Sequence, residues 1–241
     1  MSNLRIEKDG NVAIMVWQRA PQNQFNTEFL KEIVAALAEL AADRDVKALV
    51  ITSGVEKYYS TGLHLEWIMQ EAMQNPPGVP EFFGMINKFM IEITAFPKPV
   101  IAAINGHCVA MGAIITASMD FRLMSPDKGF VRLPEVEINI PFLPGMRAIF
   151  KDILTPQAWR NLAYTSDRFT GEQAHAMGYV DALHPQDELL GAAVALADKL
   201  GRFKMSTYAA IKRDNRADVL RIMREEDPPA IQAMLKTFGG G

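Results

Sequence analysis

Two short stretches of this chain run apolar without alternation, and they restrict its fold more than any other feature. They are Ala48-Leu49-Val50-Ile51-Thr52 and Val100-Ile101-Ala102-Ala103-Ile104. A strand with one wet face alternates apolar and polar residues. One without alternation is buried on both faces, the habit of parallel sheets covered by helices. Helical patterns surround both runs. Asn26 is an N-cap for a helix through Ala42, with Phe29, Leu30, Ile33, Val34, Leu37 and Leu40 at helical spacing. Phe82–Ala95 is a second helix, and Pro97 and Pro99 separate it from the second run.

The remaining punctuation fills in an α/β chain with largely parallel strands. Leu4–Glu7 and Val12–Trp17 flank Asp9-Gly10, a hairpin signal. The segment from Ser53 to Gly62 reads as loop, and residues 66–80 as a mobile stretch broken by Pro76-Pro77-Gly78 and Pro80. Asn105-Gly106 turns the chain into a short apolar helix near Met111–Ser118, and Asp120–Met124 and Gly129–Arg132 read as strands. Beyond Pro185 three helices are expected, Glu188–Leu200, Lys204–Asp214 and Arg216–Leu235. That helical tail suits packing or oligomerisation.

At 241 residues and 49% apolar, the chain is one large domain or one domain with a small appendage. A net charge of −3 lacks the basic footprint of a nucleic-acid binder. Cys108 is the single cysteine, so no intrachain disulfide forms, as in reducing compartments. The start Met1-Ser2-Asn3-Leu4-Arg5 shows no apolar leader, no run is long enough to span a bilayer, and Gly239-Gly240-Gly241 is no peroxisomal tripeptide. A soluble cytoplasmic protein with no membrane partner is therefore expected.

Two loops lead into helices through small residues: Ser60-Thr61-Gly62-Leu63-His64, and Val109-Ala110-Met111-Gly112. Helix starts carry unpaired N–H groups and the positive end of a dipole. One N–H from each loop could converge on an oxygen as an oxyanion hole. On spacing alone these read first as ordinary strand-to-helix turns, with glycine chosen for its backbone freedom. Glu135 follows Pro134 in an apolar neighbourhood, either desolvated and poised for proton exchange or exposed on a strand edge. Glu137 shares its face if the segment is extended, as a second acid or a solvated neighbour.

Other candidates are weaker. His64 and His107 lack a third ligand at metal-binding spacing, so no metal is expected. Ser60 and Ser118 lack a nucleophile-elbow context. Met69, Met73, Met85 and Met90 suit core or an adaptable apolar lining. Arg19, Lys212 and Arg213 are expected in solvent.

In order and spacing, several motifs resemble the crotonase, or enoyl-CoA hydratase/isomerase, superfamily. They are Arg19-Ala20-Pro21-Gln22-Asn23-Gln24-Phe25-Asn26, Ser60-Thr61-Gly62-Leu63-His64-Leu65, Pro97–Gly106, Phe169-Thr170-Gly171-Glu172-Gln173-Ala174 and Met177-Gly178-Tyr179-Val180-Asp181. The resemblance covers nearly the whole chain. It implies a repeated ββα spiral core over residues 1–190 and a helical C-terminal trimerisation region over 191–241, forming a homotrimer or a dimer of trimers. It also implies an acyl-CoA substrate and no cofactor beyond the coenzyme A that the substrate carries. The oxyanion donors then fall on the N–H groups of Leu63 and Met111. Thr61 and Leu65 hold the adenine end, and Gln24 and Phe25 lie near the pantetheine entrance. Gly112, Ile114 and Glu137 complete the expected substrate-contacting positions.

Departures from the family pattern select the reaction. Hydratases of the family carry two glutamates. Here the first position is Ile114 and the second is Glu135, and His64 replaces the usual acid after the first loop. Adding water usually needs two acid/base groups, whereas moving a proton needs one. The single-acid members that the chain resembles are Δ3,Δ2-enoyl-CoA isomerases. A hydratase using Glu135 with Glu137, another crotonase-type reaction and a non-catalytic acyl-CoA binder are the alternatives.

Overall fold

In the computed structural model, residues 2–238 are described, with backbone alone for 237 and 238. Gly239–Gly241, part of the expected helical tail and the place of the absent tripeptide, lie outside the described residues. Leu4–Asp9 (β1) and Val12–Trp17 (β2) form the expected hairpin. Asp9 still pairs with Val12, so the turn is Gly10-Asn11 rather than Asp9-Gly10, and Gly10 takes the positive φ (56°) that a two-residue turn demands. Helix α1 (Thr27–Ala42) starts at its expected cap, where Asn26 Oδ1 accepts the Phe29 N–H at 3.0 Å.

Three ββα units follow, each giving one strand to each of two sheets. The first holds β3 (Ala48–Ser53), β4 (Tyr58–Ser60), α2 (Leu65–Gln74) and α3 (Gly78–Thr94). The second holds β5 (Val100–Ile104), β6 (His107–Val109) and α4 (Met111–Ala117). The third holds β7 (Phe121–Met124), β8 (Val131–Arg132) and α5 (Pro144–Ile153). Next come α6 (Pro156–Tyr164), α7 (Gly171–Ala176) and β9 (Ala182–Leu183). Among the described residues the large sheet has the order β1-β2-β3-β5-β7-β9, parallel beyond the hairpin. The small one is parallel throughout, in the order β4-β6-β8. This is the repeated spiral that the resemblance implies. β3 and β5 are buried at every residue, as their unbroken apolar runs require.

The differences from the sequence reading are local. β4 lies within the segment expected as loop. It is three residues long, and its pairing partner β6 lies far along the chain. Most of 66–80 is helix, interrupted at Asn75-Pro76-Pro77 by the expected prolines.

Among the described residues the tail is four helices: α8 (Leu189–Gly201), α9 (Met205–Asn215), α10 (Ala217–Glu225) and α11 (Asp227–Phe238). The helix expected over Arg216–Leu235 is therefore two. The second begins Asp227-Pro228-Pro229, where proline costs no intrahelical hydrogen bond. α8 straddles the boundary expected at 190/191 and packs Leu189, Ala193 and Ala197 on Val50, Ile101 and Ala103 of the large sheet. Lys212 of α9 is buried rather than solvated. Its Nζ lies 2.8 Å from Asp120 Oδ2, which also accepts the Val100 N–H at 2.9 Å. Burial lowers the Lys212 pKa and Asp120 opposes that shift. Arg213 is exposed, as expected. α10 and α11 return to the core. Asn87 Nδ2 donates to the Met223 carbonyl at 3.0 Å, and the buried Asp227 carboxylate accepts the Gly145 N–H of α5 at 2.7 Å. No helix among the described residues is long and apolar enough to cross a membrane.

Candidate active site

The second strands of the three units, β4, β6 and β8, run side by side and release their chains at one end of the small sheet. After β4 comes the Thr61–His64 loop, after β6 the Ala110-Met111 turn into α4, and after β8 the turn carrying Glu135. A cavity of about 720 Å³ opens between them. Its floor and walls include Leu63, Met111, Ile114 and Glu135, with Phe83, Ile86, Met146 and Met234 arriving from α3, α5 and α11.

The two loops touch where they lack side chains. A Cβ on Gly62 would sit 2.7 Å from the Met111 nitrogen, and a Cβ on Gly112 would sit 2.6 Å from the Ser60 carbonyl oxygen. Gly62 also has a φ of +87°, which L side chains rarely adopt. Both glycines are thus spacers that let residues 60–63 and 110–112 pack backbone to backbone. Asn23 braces the first loop from behind. Its buried Nδ2 donates to Ser53 Oγ at 2.7 Å and to the Tyr59 carbonyl at 3.0 Å, and Ser60 Oγ donates to the Asn23 carbonyl at 2.8 Å.

That packing brings the N–H groups of two cavity-lining residues, Leu63 and Met111, close together. Leu63 bridges Phe25 in parallel fashion, but the bridging bonds are Phe25 N–H to the Gly62 carbonyl and His64 N–H to the Phe25 carbonyl. The Leu63 N–H points the other way, as the middle residue of a parallel bridge must. Met111 is the first residue of α4, so its N–H has no acceptor within the helix. Ala110, just before it, is held at φ 50° and ψ −128°, a conformation suited to glycine. Such strain persists only where surrounding structure imposes it, and it clusters at functional sites. Here the Ala110 N–H is pinned to the Arg132 carbonyl at 2.9 Å.

Glu135 is not on a strand edge. Strand β8 ends at Arg132, and 135–139 form a tight turn closed by Glu137 N–H and Ile138 N–H on the Pro134 carbonyl. Its side chain is buried, and Oε2 has no hydrogen-bond partner among the described residues. Burial pushes the carboxyl up to about 7, against smaller opposing pulls from its own backbone N–H and then from the Arg132 charge. Glu137, in the same turn, also lines the cavity. It is exposed, pairs with Arg132 and accepts from Ser166 Oγ at 2.9 Å.

The other expected contact positions divide. Gln24, Thr61, Leu65 and Ile114 line the cavity, and Thr61 Oγ1 donates to Gln22 Oε1 at 2.9 Å. Phe25 does not reach it. This ring is fully buried in an aromatic cluster with Trp17, Phe29 and Phe89. Gly112 is buried against Ser60 and serves the site as a spacer. Arg19 is half-buried rather than solvated. It donates to the Gln24 carbonyl at 2.8 Å and to His64 Nδ1 at 3.2 Å. Arginine can only donate, so the His64 proton sits on Nε2. Burial and the Arg19 charge both lower the His64 pKa. Among the four methionines expected as lining or core, Met90 is core while Met69 and Met73 are exposed. Those on the cavity wall are Met111, Met146 and Met234. Arg132 escaped the sequence reading, because its partner Ser166 lies 34 residues away. Among the described residues no cluster of three or more His, Cys, Asp or Glu could hold a metal ion.

The chain as a whole has known relatives. The enoyl-CoA hydratase/isomerase family profile matches residues 7–237. Enoyl-CoA delta isomerase 2, peroxisomal, of Arabidopsis thaliana is 28% identical over 216 residues, 86% of this chain and 90% of that protein. Short-chain-enoyl-CoA hydratase of Clostridium acetobutylicum is 29% identical over 203 residues, 83% of this chain and 76% of that protein. The crystal structure of human mitochondrial delta3-delta2-enoyl-CoA isomerase superposes with a TM-score of 0.91, covering 98% of this chain and 91% of that one. At 18% identity that last likeness speaks for the fold alone.

Proposed function

The chain belongs to the enoyl-CoA hydratase/isomerase family, and from that premise we propose that it is a Δ3,Δ2-enoyl-CoA isomerase. One observation carries this reading. A single buried carboxylate, Glu135, with one oxygen unpaired, lines a cavity where Ile114 stands at the position that the resemblance assigns to the family's other glutamate. The thioester oxygen of a 3-enoyl-CoA accepts the N–H groups of Leu63 and Met111. Glu135 takes a proton from the α carbon, and the electron pair moves through the former double bond to give a dienolate. Negative charge gathers on the thioester oxygen, where the two donors and the start of α4 stabilise it. Glu135 then returns the same proton to the γ carbon. The double bond is now conjugated with the thioester, and the carboxylate is regenerated.

A carboxyl near 7 suits this shuttle, since a base that must also give its proton back works best close to the working pH. The Arg132–Ser166 tie on Glu137 weighs against a second acid for hydration. No cofactor is needed beyond the coenzyme A of the substrate. The same reading makes the protein a homotrimer or dimer of trimers in the cytoplasm, with exposed Phe203 and Ile211 as apolar surface available to a neighbouring subunit.

The test is a choice of product. Incubated with a 3-enoyl-CoA, the protein should yield the conjugated 2-enoyl ester. Given a 2-enoyl-CoA in heavy-oxygen water, it should leave no label in a 3-hydroxyacyl product. Rapid labelling there would make it a hydratase. No proton exchange with either substrate would make it a binder. The dependence of kcat/KM on pH should rise through about 7, because the reaction begins with the ionised form of a group whose pKa burial has raised.

A further inference from the structure

Glu135 lies in a turn whose crown is tied back to the preceding strand by side chains. Arg132, in β8, pairs with Glu137 across the turn. Its Nε donates to the Ser166 carbonyl at 2.8 Å and its Nη2 to Ser166 Oγ at 3.2 Å, while Ser166 Oγ donates to Glu137 at 2.9 Å. Ser166 itself is held at φ 58°, and Asn139 at the end of the turn at φ 58°. Three segments, β8, the 134–139 turn and the loop after α6, thus meet in one closed polar ring.

Resting on the isomerase reading, we propose that Arg132 is the positioning residue of the Glu135 base, and that Glu137 is its counterweight rather than a second acid. The ring fixes the turn so that the Glu135 carboxylate enters the cavity. It also places a guanidinium on the same cavity wall as that carboxylate, with its charge partly cancelled by Glu137. The ionisable groups of the cavity wall are few. His64 and Glu66 face it from the start of α2, Arg132 from β8 and Glu137 from the turn itself. The faces that α3, α4, α5 and α11 turn to the cavity are apolar. Of these groups Arg132 is the one whose charge acts on Glu135, favouring its ionised form against burial. Burial, and then the Arg19 charge, disfavour the charged form of His64.

Opposite substitutions should move the base in opposite directions. In protein labelled with carboxyl-13C glutamate, the resonance lost in Glu135→Gln reports the titration of Glu135 without any substrate. Arg132→Gln should move its midpoint up, because an opposite charge that favours the ionised form is removed. Arg132→Lys should restore it. Glu137→Gln should move it down, because the guanidinium is then uncompensated. The rising limb of kcat/KM should follow in the same directions. A midpoint unchanged in folded Arg132→Gln, or shifted upward in Glu137→Gln, overturns the proposal. If Arg132→Gln does not fold, the Glu137→Gln shift alone decides. Because the midpoint is read without turnover, failure of the isomerase reading would appear separately, as no conversion of 3-enoyl-CoA by the wild-type protein.

Discussion

Glu135→Gln should stop double-bond migration and at the same time make the protein more stable at alkaline pH. Loss of a positioned acid/base group typically removes about a hundred- to ten-thousand-fold in rate. Here the same carboxylate both removes and returns the proton, so the upper part of that range is expected for kcat with a 3-enoyl-CoA. The stability change follows from the sign of the pKa shift. The folded-state value, about 7, lies above the ordinary glutamate value of 4.5. Folding therefore disfavours the ionised form, and the wild-type protein loses stability as pH rises from the unfolded value through about 7. The full difference is on the order of 3 kcal/mol at pH 8. Glutamine carries no charge to desolvate and escapes that loss. Thermal melts of the two proteins should converge near pH 4 and separate above pH 7, with the inactive variant melting higher. Equal turnover in a folded Glu135→Gln, or an inactive variant that melts lower at pH 8, would remove Glu135 from the role given to it.

Gly62→Ala should damage the oxyanion hole from behind. The added methyl would lie 2.7 Å from the Met111 nitrogen, and the atom it meets is backbone, which cannot swing aside. The two donor loops must separate, and misplacing one donor costs roughly a hundred- to a thousand-fold in kcat. The φ of +87° adds strain of about 1–3 kcal/mol in stability. A control separates these effects. Gly178 has nearly the same φ, +85°, but open space around its missing side chain. Gly178→Ala should show a comparable fall in melting temperature with kcat retained. If both variants keep wild-type turnover, convergence of the two loops is not what stabilises the reacting oxygen.

How much of this was legible in the chain depended on the range of the forces involved. Ala48–Thr52 and Val100–Ile104 disclose buried strands because burial on both faces is written into consecutive residues. Asn26 discloses a helix start because its cap bond reaches only three residues ahead. The three-residue strand Tyr58–Ser60 and the two-residue strand Ala182–Leu183 carry no such signal, since their pairing partners are supplied by distant segments. Phe25 and Gln24 are neighbours, yet one enters the aromatic core and the other the cavity. Only the path of the loop around Asn23 decides which. Glu135 was recognisable by its motif, but its burial follows from walls built by α3, α5 and α11. The break before α11 was visible in Pro228-Pro229, and the unbroken helix expected across it gave those prolines too little weight.

Met234 of α11 belongs to the cavity wall, and it follows every other wall residue in the chain by a long interval. During synthesis the three ββα units emerge first, so the loops bearing Leu63, Met111 and Glu135 can assemble while α11 is still to come. For that period the apolar side of the cavity lies open to water and to other nascent chains. Binding competence and protection from aggregation therefore arrive together, with the docking of the tail.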